Sequence, residues 1–120
     1  MSRPPRRVTR SERVHRLDLH GYDVLTALDL AVARVADAYR NGYSQIELVH
    51  GAADVTEPRE DGRGRIKWEL RRLLDQGGFD PYCVAGEAWP KSASLLLRLR
   101  PNPRPRPESW RPAPRPSHRS

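Results

Sequence analysis

Between Arg16 and Val49 the hydrophobic period changes twice, and that alternation limits the folds open to the chain. Arg16 to His20 reads RLDLH: Leu17 and Leu19 alternate with Asp18 and His20, the period of a half-buried strand. Gly21 breaks the pattern, and Asp23 has the side chain to cap a helix. From Val24, apolar residues at Ala27, Leu28, Ala31, Val35, Ala38 and Tyr39 recur at spacings of three and four. That spacing predicts one buried face of a helix of about five turns, which Gly42 ends. Ile46 to Val49 returns to a short strand that stops at His50-Gly51. Two strands joined through a helix form a right-handed crossover and lie parallel.

The pattern then repeats. Ile66, Leu70, Leu73 and Leu74 predict a second helix ended by Gly77-Gly78. Phe79 to Ala85 is expected as a third strand, held to a sheet edge by Pro81, and Leu95 to Arg100 as a fourth. GEAWPKSAS connects those two strands. The expected class is α/β: a two-layer βαβαββ sandwich with four strands and both helices on one face. The alternation leaves Asp18, His20, Glu47, Arg98 and Arg100 on the open face, as cross-strand ion pairs or as a platform for a nucleic-acid backbone.

A length of 120 residues allows a single domain, expected over residues 15–100. No apolar run is long enough to span a bilayer, and MSRPPRRVTRSERV lacks the apolar centre of a secretory signal. The single cysteine, Cys83, forms no internal disulfide framework and reads as a small buried hydrophobe. These features point to a cytoplasmic protein with neither a membrane nor a disulfide-linked partner. The net charge is +7, but residues 1–16 hold six Arg against one Glu and residues 101–120 hold five Arg against one Glu. The stretch between them is mildly acidic. Residues 1–14 read as a basic disordered arm, and residues 101–120, with seven Pro between Pro101 and Pro116, as a Pro/Arg-rich disordered tail. Such arms neutralise phosphates, which makes DNA or RNA the expected partner; the plainer reading is a passive solubility tail.

Chemistry concentrates where the strands end. His20-Gly21 and His50-Gly51 stand after the first two strands, at the rim where ligands gather in open α/β sheets. Gly62-Arg63-Gly64-Arg65 opens the second helix, where glycines allow close approach of a phosphate and free N–H groups face it. Two imidazoles, Gly51, the amides around Gly62 and Gly64, and Arg63 and Arg65 would suit phosphodiester binding, or cleavage by general acid–base chemistry. Asp18 is placed to orient His20. A histidine after a strand is also a common structural hydrogen-bonder, and a short GxG a common turn.

Leu17-Asp18-Leu19-His20-Gly21, followed by an N-cap and an Ala/Leu-rich helix, resembles the LDLHG motif of the small MutS-related (Smr) domain family. His50-Gly51 is similar to the start of that family's HGxG segment, and Gly62-Arg63-Gly64 to the turn that opens its second helix. Ala52-Ala53 stands where the family continues with glycine, and about ten residues separate the two half-motifs. The resemblance implies a fold like the C-terminal domain of translation initiation factor 3. Its mixed sheet has order 1-2-4-3 with strand four antiparallel, which would put Glu47 and Arg98 side by side. It also implies nucleic-acid binding and, in several members, endonuclease or nicking activity on DNA or RNA. The resemblance makes the motif histidines and the glycine loop the site; with the open-face reading, His20, His50 and Asp18 are the catalytic candidates, with Gly51, Gly62, Arg63, Gly64, Arg65, Arg98 and Arg100 expected to bind phosphate.

Asp54, Glu57, Glu60 and Asp61 could hold a divalent cation, Mg or Mn, although their spacing matches no known ligand pattern and no metal-ligating residue is assigned. Trp89 is expected to anchor the turn before strand four or to stack on a base beside Lys91. Trp68 is expected to close the helix–helix seam or face the rim, and Trp110 stands alone among prolines and arginines. Two functions compete: a phosphodiester-cleaving nuclease, favoured by the paired histidines, and a non-catalytic nucleic-acid-binding module with Arg-rich arms, favoured by Ala52-Ala53. A protein-interaction adaptor reading the Pro-rich tail is a third.

Overall fold

Residues 13–116 are described by the structure, a computed structural model. Strand β1 (Val14–Asp18) leads to helix α1 (Val24–Arg40), strand β2 (Gln45–Val49), helix α2 (Arg65–Asp75) and the hairpin β3 (Cys83–Pro90) and β4 (Ser94–Leu99). The sheet order is β1-β2-β4-β3. β1 and β2 are parallel, and β4 runs antiparallel to both its neighbours. Among the described residues no helix is long and apolar enough to cross a membrane.

Local chemistry sets the elements. The Asp23 carboxylate accepts from the Thr26 N–H at 3.1 Å and caps α1. α2 ends in a Schellman turn: the Gly77 N–H donates to the Leu74 carbonyl and the Gly78 N–H to the Leu73 carbonyl. Leu17, Leu19, Ile46, Leu48, Leu95, Leu97 and Leu99 point from the sheet into one core with Ala27, Ala31, Val35 and Leu70 of the helices. Both helices thus lie over one face, as the alternation requires.

Strand β3 differs from expectation. Phe79 to Tyr82 form turns, with Phe79 buried in the core, and pairing begins at Cys83 and runs through Trp89 to Pro90. The ladder is irregular between Cys83 and Ala88, where Gly86 takes φ +79°. Most of the expected connection is therefore strand, and the turn shrinks to residues 91–93, closed by the Lys91 N–H on the Ser94 carbonyl at 2.8 Å. Pro90 fits because β3 is a sheet edge and an edge strand has a row of donors to spare.

The segment after β4 follows a defined course along the domain as far as Pro116. Among its described residues there is no helix or strand, as the prolines dictate, and residues 102–116 pack along α1. Asn102 Nδ2 donates to the Tyr39 carbonyl at 2.9 Å, and Tyr22 donates to the Pro114 carbonyl at 2.7 Å. Between these ends Arg106 Nη2 donates to Asp37 Oδ1 at 3.1 Å, and the Arg111 N–H to Asp37 Oδ2 at 2.9 Å. Asp37, on α1 away from the sheet, is only 1% exposed beneath this strap, with Arg40 also 3.7 Å away. Trp110 packs on His15, and Glu108 accepts from Arg13 at 2.6 Å and from Tyr43 at 3.0 Å. Polar groups of α1 that composition alone leaves in solvent supply the partners that hold the strap. Most of the N-terminal arm, residues 1–12, and the tail's end, residues 117–120, lie outside the described residues.

Candidate functional site

The LDLHG segment builds an acid–imidazole pair from local geometry. Asp18 is the last residue of β1, and Gly21 turns the chain with φ +86°. Asp18 Oδ1 accepts the His20 backbone N–H at 3.0 Å and lies 2.9 Å from His20 Nδ1. The first contact is the two-residue reach typical of an aspartate at a turn. These hydrogen bonds, the backbone one first, hold the Asp18 carboxyl below its usual range. Because the carboxylate accepts, Nδ1 carries the imidazole proton and Nε2 keeps its lone pair. The His20 side chain is 77% exposed, so that lone pair faces solvent.

His50 is in a different environment. The β1–β2 register ends at Asp18 opposite Val49, which places Leu19 beside His50 with both facing the helices. His50 is 6% exposed, and its Nδ1 lies 2.6 Å from the Gly51 carbonyl, so Nδ1 carries the proton. Nε2 is buried and has no hydrogen-bond partner among the described residues. Burial first, then the nearby Lys67 and Arg71 charges, push the His50 pKa down. The two histidines straddle the end of the sheet, as alternation requires, but only His20 is open to a substrate. The inward position of His50 at this end of the sheet accounts for its burial.

Around His50 the backbone is tightly held. Gly51 and Ala52 take positive φ in succession, +71° and +57°, and the His50 and Gly51 N–H groups both donate to the Ala93 carbonyl at 3.0 Å. Lys67, 3% exposed, donates from Nζ to the Val55 carbonyl at 2.8 Å and the Ser92 carbonyl at 2.9 Å. It ties the loop after His50 to the β3–β4 turn. Burial pushes its pKa down. Lys67 was not among the expected site residues. The signal for it was compositional: Lys67 and Lys91 are the only lysines beside 20 arginines, and both serve this turn. Lys91 Nζ lies 3.5 Å from Glu47, and Ser94 donates to Glu47 at 2.6 Å. The Ser94 hydrogen bond leads in lowering the Glu47 pKa.

The glycine turn joins this half of the rim. Gly64 takes φ +75°, and a Cβ there would stand 3.0 Å from Val55 and 3.6 Å from Ala52. Gly62, at φ +81°, faces open space. Arg63 is neutralised by Asp54 at 2.6 Å, and its N–H donates to Asp61 at 3.0 Å. Asp61 also pairs with Arg59 at 3.2 Å. Two acids of the loop thus answer arginines, and among the described residues no three His, Cys, Asp or Glu side chains gather to hold a metal ion. Arg65 is exposed and makes no ion pair among the described residues.

Arg98 and Arg100 do not join the rim. β4 is antiparallel, so its start, Ser94, lies beside Val49, whereas Arg98 lies beside Gln45 at the far end. Arg98 pairs with Glu87 at 3.5 Å rather than with Glu47, which registers with Leu96, and Arg100 donates to the Asp80 carbonyl at 3.0 Å. Strands β2 and β4 are neighbours as expected, but the register separates the Glu47 and Arg98 pair. Trp68 and Arg71 cover the other side of the turn, with the guanidinium 5.0 Å from the indole and donating to the Lys91 carbonyl at 3.2 Å. No family model matches the chain, and neither a curated protein nor a solved structure matches it.

Proposed function

We propose that the chain is a nucleic-acid-binding domain of the small MutS-related kind that cleaves or nicks a phosphodiester of DNA or RNA at the Asp18–His20 end of the sheet. The observation that carries this reading is the exposed, carboxylate-oriented imidazole of His20. Its Nε2 lone pair can accept a proton from an attacking water or 2′-hydroxyl while Asp18 stabilises the imidazolium that forms. In this reading the exposed Arg65 at the start of α2 attracts phosphate, and Lys67 holds the loop after His50. A second reading, a binding module without catalysis, is favoured by one observation: His50 is buried. That burial leaves one accessible imidazole where acid–base cleavage commonly uses two groups.

The test is incubation of the full chain with supercoiled plasmid and with structured RNA, with and without Mg or Mn, beside the single variants His20→Ala and His50→Gln. The proposal expects cleavage that disappears in His20→Ala and persists in folded His50→Gln. Retained binding with no cleavage selects the second reading, and absence of both binding and cleavage overturns both.

A further inference from the structure

The strap joins two opposite ends of the fold. It starts after β4, at the end of the sheet away from His20, and is clamped to Asp37 midway. It reaches the turn after His20 at residues 114–116. There Tyr22 donates to the Pro114 carbonyl, and a Cβ on Gly21 would stand 3.2 Å from Pro116. Pro116 therefore lies against the residue that follows His20, and Arg115 is one residue away from it. The contact does not cover the imidazole, which remains open to solvent.

The charges of the strap divide into two groups. Arg106 and Arg111 face Asp37, and Glu108 faces Arg13. Arg104 and Arg115 are exposed and make no ion pair among the described residues. They sit at opposite ends of the strap, and only Arg115 is beside the rim. The N-terminal arm joins the domain at Arg13, at the opposite end of β1 from His20. That point is about 20 Å from His20 along β1, at ~3.3 Å per residue.

From this placement we infer that the strap completes the phosphodiester site, with Arg115 as a phosphate-binding side chain beside His20. The occupant is the polynucleotide backbone of DNA or RNA. The inference rests on the proposed function and adds a residue that lies outside the resemblance. An arginine there supplies a fixed positive charge and a planar fork of donors suited to phosphate.

The experiment measures fluorescence anisotropy of labelled single-stranded DNA and RNA of about 20 nucleotides with the full chain, over about 50–200 mM salt. Arg115→Ala is expected to weaken binding at least threefold and to flatten the log–log salt slope by about 0.7, the value for one phosphate on a single strand. Arg115→Lys should retain most of the slope, since it keeps the charge. Arg104→Ala serves as the same loss of charge at the far end. A His20→Ala, Arg115→Ala double variant should show coupling that His20→Ala, Arg104→Ala does not. Equal effects of Arg115→Ala and Arg104→Ala, or no coupling to His20, would overturn the inference and leave the proposed function standing. No binding by the unaltered chain would overturn both.

Discussion

The imidazole of His15 lies flat on the indole of Trp110, with ring centroids 4.0 Å apart and planes 18° apart. The contact joins β1 to the strap, and Arg34 of α1 stands 3.4 Å from His15 Nε2. Tyr43 meets both rings edge-on or tilted. Burial first, then Arg34 and Arg13, push the His15 pKa below 6.5, against an opposing pull from Glu108. The folded state therefore favours neutral His15. Its contribution is complete above 6.5 and is lost as pH falls from there through the depressed folded value.

Acidification from about pH 7.5 to 5.5 should loosen the strap at Trp110 before the sheet melts. The indole N–H resonance of Trp110, which donates to Glu108 at 2.9 Å, reports this locally. His15→Phe keeps the stack and removes the titration, so the resonance should become insensitive to pH over that range. An unchanged pH response in His15→Phe would show that another group controls the strap. His50 shifts in the same direction and adds to global acid sensitivity, which is why a local probe is needed.

Lys67→Met retains the aliphatic stem and removes the ammonium. The Val55 and Ser92 carbonyls then lose their charged donor at a buried site. The expected loss is about 2–4 kcal/mol, or roughly 10–20 °C in melting temperature for a domain of this size. Thermal unfolding checks it, and a shift under about 3 °C would mean that water replaces the ammonium without penalty.

The two glycines of the α2 turn should respond unequally. Gly62→Ala meets only the left-handed backbone penalty, about 1 kcal/mol, because nothing lies within 4 Å of its Cβ position. Gly64→Ala meets that penalty and contact with Val55 at 3.0 Å, so it should destabilise by about 2–3 kcal/mol. Equal urea midpoint shifts for the two variants would contradict the packing of α2 against the loop.

Much of the fold was legible because Leu17, Leu19, Ile46 and Leu48 alternate strictly and the α1 apolar residues keep a helical spacing. β3 was misplaced because Gly86 and Pro90 read as a turn, whereas on an edge strand one sits in an irregular stretch of the ladder and the other still pairs, opposite Leu95. At the site, alternation already turned His20 outward and His50 inward. What it could not show was that inward, at this rim, means enclosed by Lys67 and the 91–93 turn. The strap was illegible for another reason. Its composition describes a solvated chain, and its partners are 69 residues away for Arg106 with Asp37 and 65 for Tyr43 with Glu108. Periodicity carries no information about such pairings.

The two basic ends should therefore separate in experiment, although composition treats them alike. Residues 1–12 hold four Arg and one Glu and join the domain at the end of β1 remote from His20. Removing them should flatten the salt dependence of nucleic-acid binding while leaving the melting temperature within about 2 °C. Removing residues 102–120 takes the guanidiniums of Arg106 and Arg111 from Asp37 and uncovers His15 and Tyr43. Asp37 regains water in that truncation, so the loss comes mainly from apolar burial and strap hydrogen bonds. Arg106→Ala retains the cover and weakens the neutralisation of Asp37, leaving Arg111 at 3.6 Å and Arg40 at 3.7 Å. The truncation should lower the melting temperature by several degrees together with affinity, and Arg106→Ala by a smaller amount, about 1–2 kcal/mol, given the partial exposure of the guanidinium. A truncated domain that melts with the full chain would reduce the strap to a tail, and its basic charge would then act on nucleic acid without a fixed position.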